Sequence, residues 1–230
     1  MSGSRRYPFL NRTLYVTLRG LIRPLVQVLF RIHVEGLENI PEQGPFILVS
    51  NHLSYFDSPL LFAVLPRVMT ALAAEKYERH PVFGPMLRVT GAIFIRRGEA
   101  DRAAIQQVIA SLEDGHPLAV AIEGTRSRTG GLGAGKLGAA YFATRANVPL
   151  VLGAIHGSEQ TRHEWLRFRR PEVHIRFAPP IWLPQKPMRA HELQQHTEDL
   201  MTMLAAMLPS AYRGHYARRP RCREEPMQAT

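Results

Sequence analysis

The chain has 230 residues, 45% of them hydrophobic, and 29 Lys and Arg against 19 Asp and Glu give a formal net charge of +10 at pH 7. This composition excludes a disordered chain and leaves room for one α/β domain with its own core. The charge points to an anionic partner: a phosphorylated substrate, an anionic lipid surface or nucleic acid. The single cysteine, Cys222, excludes an internal disulfide and any cysteine metal cluster.

Residues 1–12 are polar and basic and show no secretory signal pattern. Over 13–33, Leu14, Leu18, Leu21, Ile22, Leu25, Val26, Leu29 and Phe30 recur at helical spacing. Arg19, Arg23 and Arg31 interrupt the run, which argues against a span of about 20 apolar residues. Gly20 and Pro24 predict a kink or a break into two helices. A basic amphipathic helix suits a membrane interface, and an ordinary surface helix packed on the core is the alternative; residues 1–33 are read as the former. The α/β domain is predicted over 34–208, and residues 209–230 form a basic tail expected to be loose.

Within the domain a short strand and turn over 34–41 lead to a buried strand at 46–50 and a helix over 58–65. A strand at 70–74 follows, then a short helix from His80-Pro81 to about Thr90, a strand at 92–95 and an amphipathic helix over 101–113. A buried strand at 118–122 runs into a glycine-rich loop, 123–135, and a helix, 136–146. A strand at 149–155, an alternating and more exposed strand at 173–177 and a helix over 189–208 complete the order. The alternation predicts an α/β fold, a single domain with a mixed, mostly parallel sheet flanked by helices.

Three segments that come after strands carry groups able to do chemistry. Asn51-His52-x4-Asp57 joins the first core strand to its helix. A turn lets the Asp57 carboxylate swing back to the imidazole, whereas on a straight helix the two side chains point about 140° apart. A carboxylate on one ring nitrogen leaves the other free as a general base, and no Ser or Cys is needed if that base activates a substrate hydroxyl. Arg97 closes the strand 92–95, and Glu123-Gly124-Thr125-Arg126-Ser127 closes 118–122. In a parallel sheet all three reach one edge, where open α/β folds bind ligands. A pair of arginines there suits a phosphate, which guanidinium meets with two parallel hydrogen bonds. Gly124 permits close backbone approach. An isolated His/Asp pair, or one loop arginine, has a bland structural explanation; their coincidence after strands is what carries weight.

These residues resemble the glycerolipid acyltransferases, the 1-acyl-sn-glycerol-3-phosphate acyltransferase family. Four blocks appear in order: Asn51-His52-x4-Asp57, Gly91-x-x-Phe94-x-x-Arg97, Glu123-Gly124-Thr125-Arg126-Ser127 and Val148-Pro149-Leu150-Val151. The resemblance covers roughly 34–160. It departs at Arg96, where the family often has Asp, at Ala121-Ile122, where Phe-Pro is usual, and at Leu152, where Pro is common.

The resemblance implies transfer of a fatty acyl chain from acyl-CoA or acyl carrier protein to the free hydroxyl of a lysophospholipid, in phospholipid biosynthesis at the cytoplasmic face of a membrane. It implies His52 and Asp57 as catalytic residues. Asn51, Arg97, Glu123, Gly124, Thr125, Arg126, Ser127 and Lys136 are the substrate-binding set. No cofactor and no metal is expected, because a base and a thioester suffice, and no nucleic acid partner is expected. An acyl thioesterase and a non-catalytic basic membrane- or nucleic-acid-binding module are the alternatives.

Gly130-Gly131-Leu132-Gly133-Ala134-Gly135-Lys136-Leu137 nearly matches a P-loop. Leu137 stands where Ser or Thr binds Mg²⁺, and the loop lies past the strand rather than on it. It reads instead as a loop that brings Lys136 and a helix start near an anionic substrate. His191 and His196 do not share a helix face, which argues against metal binding. His156 ends a strand without a carboxylate partner and reads as structural.

Overall fold

The computed structural model describes residues 12–81, 83–96 and 101–217. The first half of the chain forms α1 (Arg12–Leu29), β1 (Arg31–Glu35), β2 (Ile47–Ser50), α2 (Asp57–Val64), β3 (Thr70–Ala74), α3 (Phe83–Val89) and β4 (Ile93–Ile95). The second half forms α4 (Arg102–Glu113), β5 (Leu118–Ala121), α5 (Gly138–Ala146), β6 (Leu150–His156), α6 (Thr161–Leu166), β7 (Glu172–Phe177) and α7 (Ala190–Met207). The seven strands make one sheet in the order β1-β7-β6-β2-β5-β3-β4.

β2 is buried at every position, and apolar but for Ser50, because it pairs in parallel with β5 on one side and β6 on the other. β3 and β4 extend the parallel sheet beyond β5. β7 runs antiparallel to β6, and β1 runs parallel to β7. The sheet is therefore mixed and mostly parallel, as predicted. The alternation of β7 is also as predicted, but the strand lies inside the sheet: Val173, Ile175 and Phe177 are buried while Glu172 and Arg176 are exposed. Residues 31–33 belong to β1 rather than to the N-terminal helix.

Connections leave β2 toward β3 on one side and leave β5 toward β6 on the other. The crevice outside the carboxyl ends of β2 and β5 is thus the place where an open α/β sheet takes its ligand.

Helices cover both faces. On one, α4, α5 and α7 pack Val108, Leu112, Phe142, Leu200 and Leu204 against Ile47, Leu118, Val120 and Leu150. On the other, α1 and α2 pack Val26, Phe30, Leu60 and Ala63 against Leu48, Val151, Val173 and Phe177. Full burial of one such side chain contributes about 1.5–3 kcal/mol.

α1 is a single 18-residue helix, with Pro24 accommodated inside it, so the predicted break does not occur. Its apolar residues divide between two faces. Tyr15, Val26 and the adjoining Phe30 face the core, whereas Leu14, Leu21, Leu25 and Val28 are exposed in a stripe. Among the described residues no helix is long and apolar enough to cross a membrane. The tail expected to be loose is docked as far as Ala217: 3₁₀ turns at Ser210–Tyr212 and Gly214–Tyr216 bury Tyr216 and hydrogen-bond Leu132.

Candidate active site

The turn after β2 is built around one carboxylate. Asp57 begins α2 and folds back over the turn, where its Oδ2 accepts from Leu53 N at 2.7 Å, Ser54 N at 2.8 Å and the His52 Nδ1 position at 2.8 Å. Its Oδ1 accepts from Ser158 Oγ at 2.5 Å. Asp57 is buried, with 3% of its side chain exposed, whereas His52 keeps 23% exposed. The bond at Nδ1 orients the ring and leaves Nε2 available for proton transfer.

His52 stands at the mouth of an apolar cavity of about 170 Å³. The cavity runs between α2, α3 and the sheet, past Leu61, Phe62, Met69, Met86 and Leu87, as far as Tyr15 of α1. Small residues create it. Ala71 of β3 is in register with Ala119 of β5, and Ala73 and Ala121 continue the same face by the two-residue period of a strand. At the mouth, Ser58 has the first-turn N–H of α2 without an acceptor among the described residues. Asp57 N donates to Ser54 O, residue 59 is proline, and Leu60 N donates to Phe56 O.

The loop after β5 is held to this turn by backbone and side-chain bonds. Ser127 N donates to His52 O at 2.7 Å, and His52 N donates to Glu123 Oε1 at 3.3 Å. Gly133 N donates to Glu123 Oε2 at 2.8 Å. Burial pushes the Glu123 carboxyl above the usual carboxylate range, and the Gly133 and His52 amides oppose that shift. Gly124 adopts φ 67°, with Lys136 so close that a Cβ would lie 3.3 Å from its Cγ. The guanidinium of Arg126 lies 3.6 Å from the centre of the Tyr55 ring. The neighbouring Arg126 guanidinium holds the Tyr55 hydroxyl below the usual phenol range. Cation–π stacking of this kind fixes the orientation of an arginine without consuming its charge.

This geometry separates the predicted residues into two groups. His52 and Asp57 pair, and Gly124, Thr125, Arg126 and Lys136 share the neighbouring loop, with Thr125 and Lys136 exposed. The side chains of Asn51, Glu123 and Ser127 also hold the scaffold. The Asn51 amide donates to Ile155 O at 2.7 Å and accepts from Ile155 N at 2.9 Å, which ties β2 to β6. The Glu123 oxygens are taken by two amides, and Ser127 Oγ donates to Gly131 O at 2.7 Å. Arg97 lies outside the described residues. Its neighbour Arg96, at the end of β4, faces Glu75 at 4.0 Å. His156 stacks on His174 at 4.8 Å, and burial, aided by His174, pushes its pKa down, which agrees with a structural part.

Ser158 and Tyr55 touch the candidate site residues and were missed by sequence reasoning. Gly157-Ser158 comes directly after β6, so the rule that selects Arg97 and Glu123 would also have found it. Gly157 must be glycine: φ is 90° and a Cβ would lie 2.1 Å from Glu172 O. Tyr55 carries no signal beyond its place inside the first block.

Comparison with known proteins agrees with the geometry. A family model described as Acyltransferase matches residues 31–155. The chain is 37% identical over 97 residues to a lyso-ornithine lipid O-acyltransferase of Pseudomonas aeruginosa, covering 42% of this chain and 36% of that protein. It is 29% identical over 156 residues to the human 1-acyl-sn-glycerol-3-phosphate acyltransferase alpha, covering 66% of this chain and 55% of that one. The chain thus spans from about a third to about half the length of these curated relatives. The crystal structure of the 1-acyl-sn-glycerophosphate (LPA) acyltransferase of Thermotoga maritima superposes with a TM-score of 0.62 at 24% identity, over 81% of this chain and 76% of that one, so the fold is shared. With the family model spanning more than half of its length and two of the motif blocks joined by hydrogen bonds beside the cavity, the chain belongs to the acyltransferase family.

Proposed function

We propose that the protein moves a fatty acyl chain from acyl-CoA or acyl carrier protein to the free hydroxyl of a lysophospholipid of the 1-acylglycerol-3-phosphate class. The observation that carries this reading is the His52–Asp57 pair at the mouth of an apolar cavity floored by alanines. The cavity suits an acyl chain whose thioester carbonyl lies beside His52. His52 Nε2 takes the proton of the acceptor hydroxyl as its oxygen attacks the thioester carbon. The Ser58 N–H is the candidate donor for the tetrahedral oxyanion. Collapse breaks the C–S bond, and the imidazolium returns its proton to the leaving thiolate. The products are an ester and a free thiol.

Arg126, steadied on Tyr55, and Lys136 supply positive charge for the acceptor's phosphate beside this mouth. No cofactor or metal enters these steps. The exposed apolar stripe of α1 (Leu14, Leu21, Leu25 and Val28) supports a peripheral position on a membrane. The cytosolic origin of both thioester donors argues for contact on the cytoplasmic face.

The test is thiol release from an acyl-CoA, with and without a panel of lysophospholipids, the product being identified by mass. Release that depends on a phosphate-bearing acceptor, with the diacyl product formed in equal amount, is expected. Equal release without acceptor would make the protein a thioesterase, and no release from either donor would overturn the reading.

A further inference from the structure

The segment 158–170 starts at the candidate catalytic carboxylate and ends in an exposed apolar tip. Ser158 holds Asp57. Seven residues on, the Trp165 ring packs edge-on against Phe56 at 5.2 Å and against Phe30 at 5.5 Å. The indole N–H donates to Leu29 O at 3.4 Å, and Arg170 donates to Phe30 O at 2.5 Å and to Gln27 O. These bonds clip the segment to the carboxyl end of α1, beside Val28, the last residue of its exposed stripe.

Beyond the clip, Leu166 is 74% exposed and Phe168 is fully exposed. Phe168 also adopts φ 54°, the left-handed region that a bulky side chain disfavours. Neither burial nor backbone preference accounts for phenylalanine there; glycine or asparagine would form the turn at lower cost. Arg162, Arg167 and Arg169 surround the tip and are all exposed, while Glu164, half-buried, lies against His163. Apolar side chains at a tip ringed by cations match a membrane with negatively charged headgroups.

We propose that the tip Trp165-Leu166-Arg167-Phe168-Arg169 is a second membrane contact, in which Leu166 and Phe168 enter an anionic lipid surface while the flanking arginines meet headgroup phosphates. It adjoins the outer stripe of α1, so helix and tip grip one surface at two places. Because Trp165 packs on Phe56, the residue before Asp57, the grip also bears on the turn that holds His52. This second consequence rests on the acyl-transfer reading; the binding itself does not.

The experiment measures partition of the full-length protein onto phosphatidylglycerol–phosphatidylcholine vesicles and onto phosphatidylcholine alone, by sedimentation. Phe168→Gly is the informative variant, because glycine relieves the left-handed backbone while removing the ring. It is expected to lower partition onto the anionic vesicles by about tenfold, with a thermal midpoint equal to or above that of the wild type. Leu166→Ser should act in the same direction, and Arg167→Gln/Arg169→Gln should remove the preference for anionic vesicles. On a short-chain lysophospholipid in free solution the variants should match the wild type.

Unchanged partition of Phe168→Gly and Leu166→Ser onto anionic vesicles would overturn the proposal, as would a fall in the Phe168→Gly midpoint, which marks a packing role. A wild-type protein inactive on the soluble acceptor would instead strike the proposed reaction and leave the lipid contact standing.

Discussion

The two faces of strands β3 and β5 are built from different residues. Toward α4, α5 and α7 these strands present Leu118 and Val120, which are buried, with Leu72 packed beside them. Toward α1, α2 and α3 they present Ala71, Ala73, Ala119 and Ala121, and a cavity remains above them. The backbone is the same, so the contrast comes from side-chain volume alone. One face fills its space and holds the fold together. The other leaves a space beside the His52–Asp57 pair at the carboxyl end of the central strand. A filled core and an open cavity thereby lie on opposite faces of the same strands.

The comparison breaks most sharply at the open face's mouth. His52→Ala is expected to lower acyl transfer by about 10²–10⁴ while the denaturant midpoint stays near that of the wild type, because the ring is partly exposed. Steady-state turnover set beside an unfolding curve checks both. Turnover like the wild type's would remove His52 from the reaction.

On the filled face the expectation reverses. Leu112 of α4 is fully buried, and Leu112→Ala should cost about 2–5 kcal/mol of stability. Activity per folded molecule should change little. Urea unfolding followed by an assay at a temperature where the variant is folded separates the two quantities.

Ala119→Leu sharpens the contrast. On a filled face the added methyl groups cost about 1–3 kcal/mol through overpacking; above the cavity they occupy empty space. Stability should fall by less than that, and the longest acyl chain accepted should shorten. A series of acyl-CoA lengths checks it: a shift in KM confined to long chains supports an acyl slot, and a uniform change across lengths removes it.

The smallest effect is at Glu123, under the rim that joins the two loops. Its carboxyl is raised by burial, so the folded state holds the proton more tightly than the unfolded one. The stability this adds is present below the ordinary carboxylate pKa and is lost as pH rises through the raised value. Urea midpoints from about pH 4 to about pH 8 should show that decline in the wild type and a flatter profile in Glu123→Gln. An unchanged slope would show that another group carries it.

Much of this was legible residue by residue. Phe46-Ile47-Leu48-Val49 has no polar position because both faces of β2 are covered, and a run of that kind reads as a buried strand. The five-residue spacing of His52 and Asp57 pairs them only across a turn, and β2 leads straight into a turn. In the glycine-rich loop, Gly133 serves Glu123 and Lys136 lies against Gly124.

Other features escaped because they depend on partners distant in the chain. That Asn51 ties β2 to β6 depends on Ile155, 104 residues away. The two amides that Glu123 accepts from, Gly133 and His52, likewise come from other segments of the chain. The break predicted at Gly20 and Pro24 does not occur, because α1 lies against α2, where the Tyr15 ring packs at a tilt against Phe62 at 4.6 Å; packing of this kind overrides local propensity.

The amino-acid order by itself determined the alternation of strands and helices, the carboxylate paired with the imidazole and the placement of reactive groups after strands. Each of these depends on neighbours within a few residues or on a repeating period. Only the tertiary structure decided the order of strands, the cavity above the alanines, the Ser158 bond to Asp57 and the exposure of Phe168. Those arise when segments far apart in the chain compete for the same volume, and no local pattern records which of them wins.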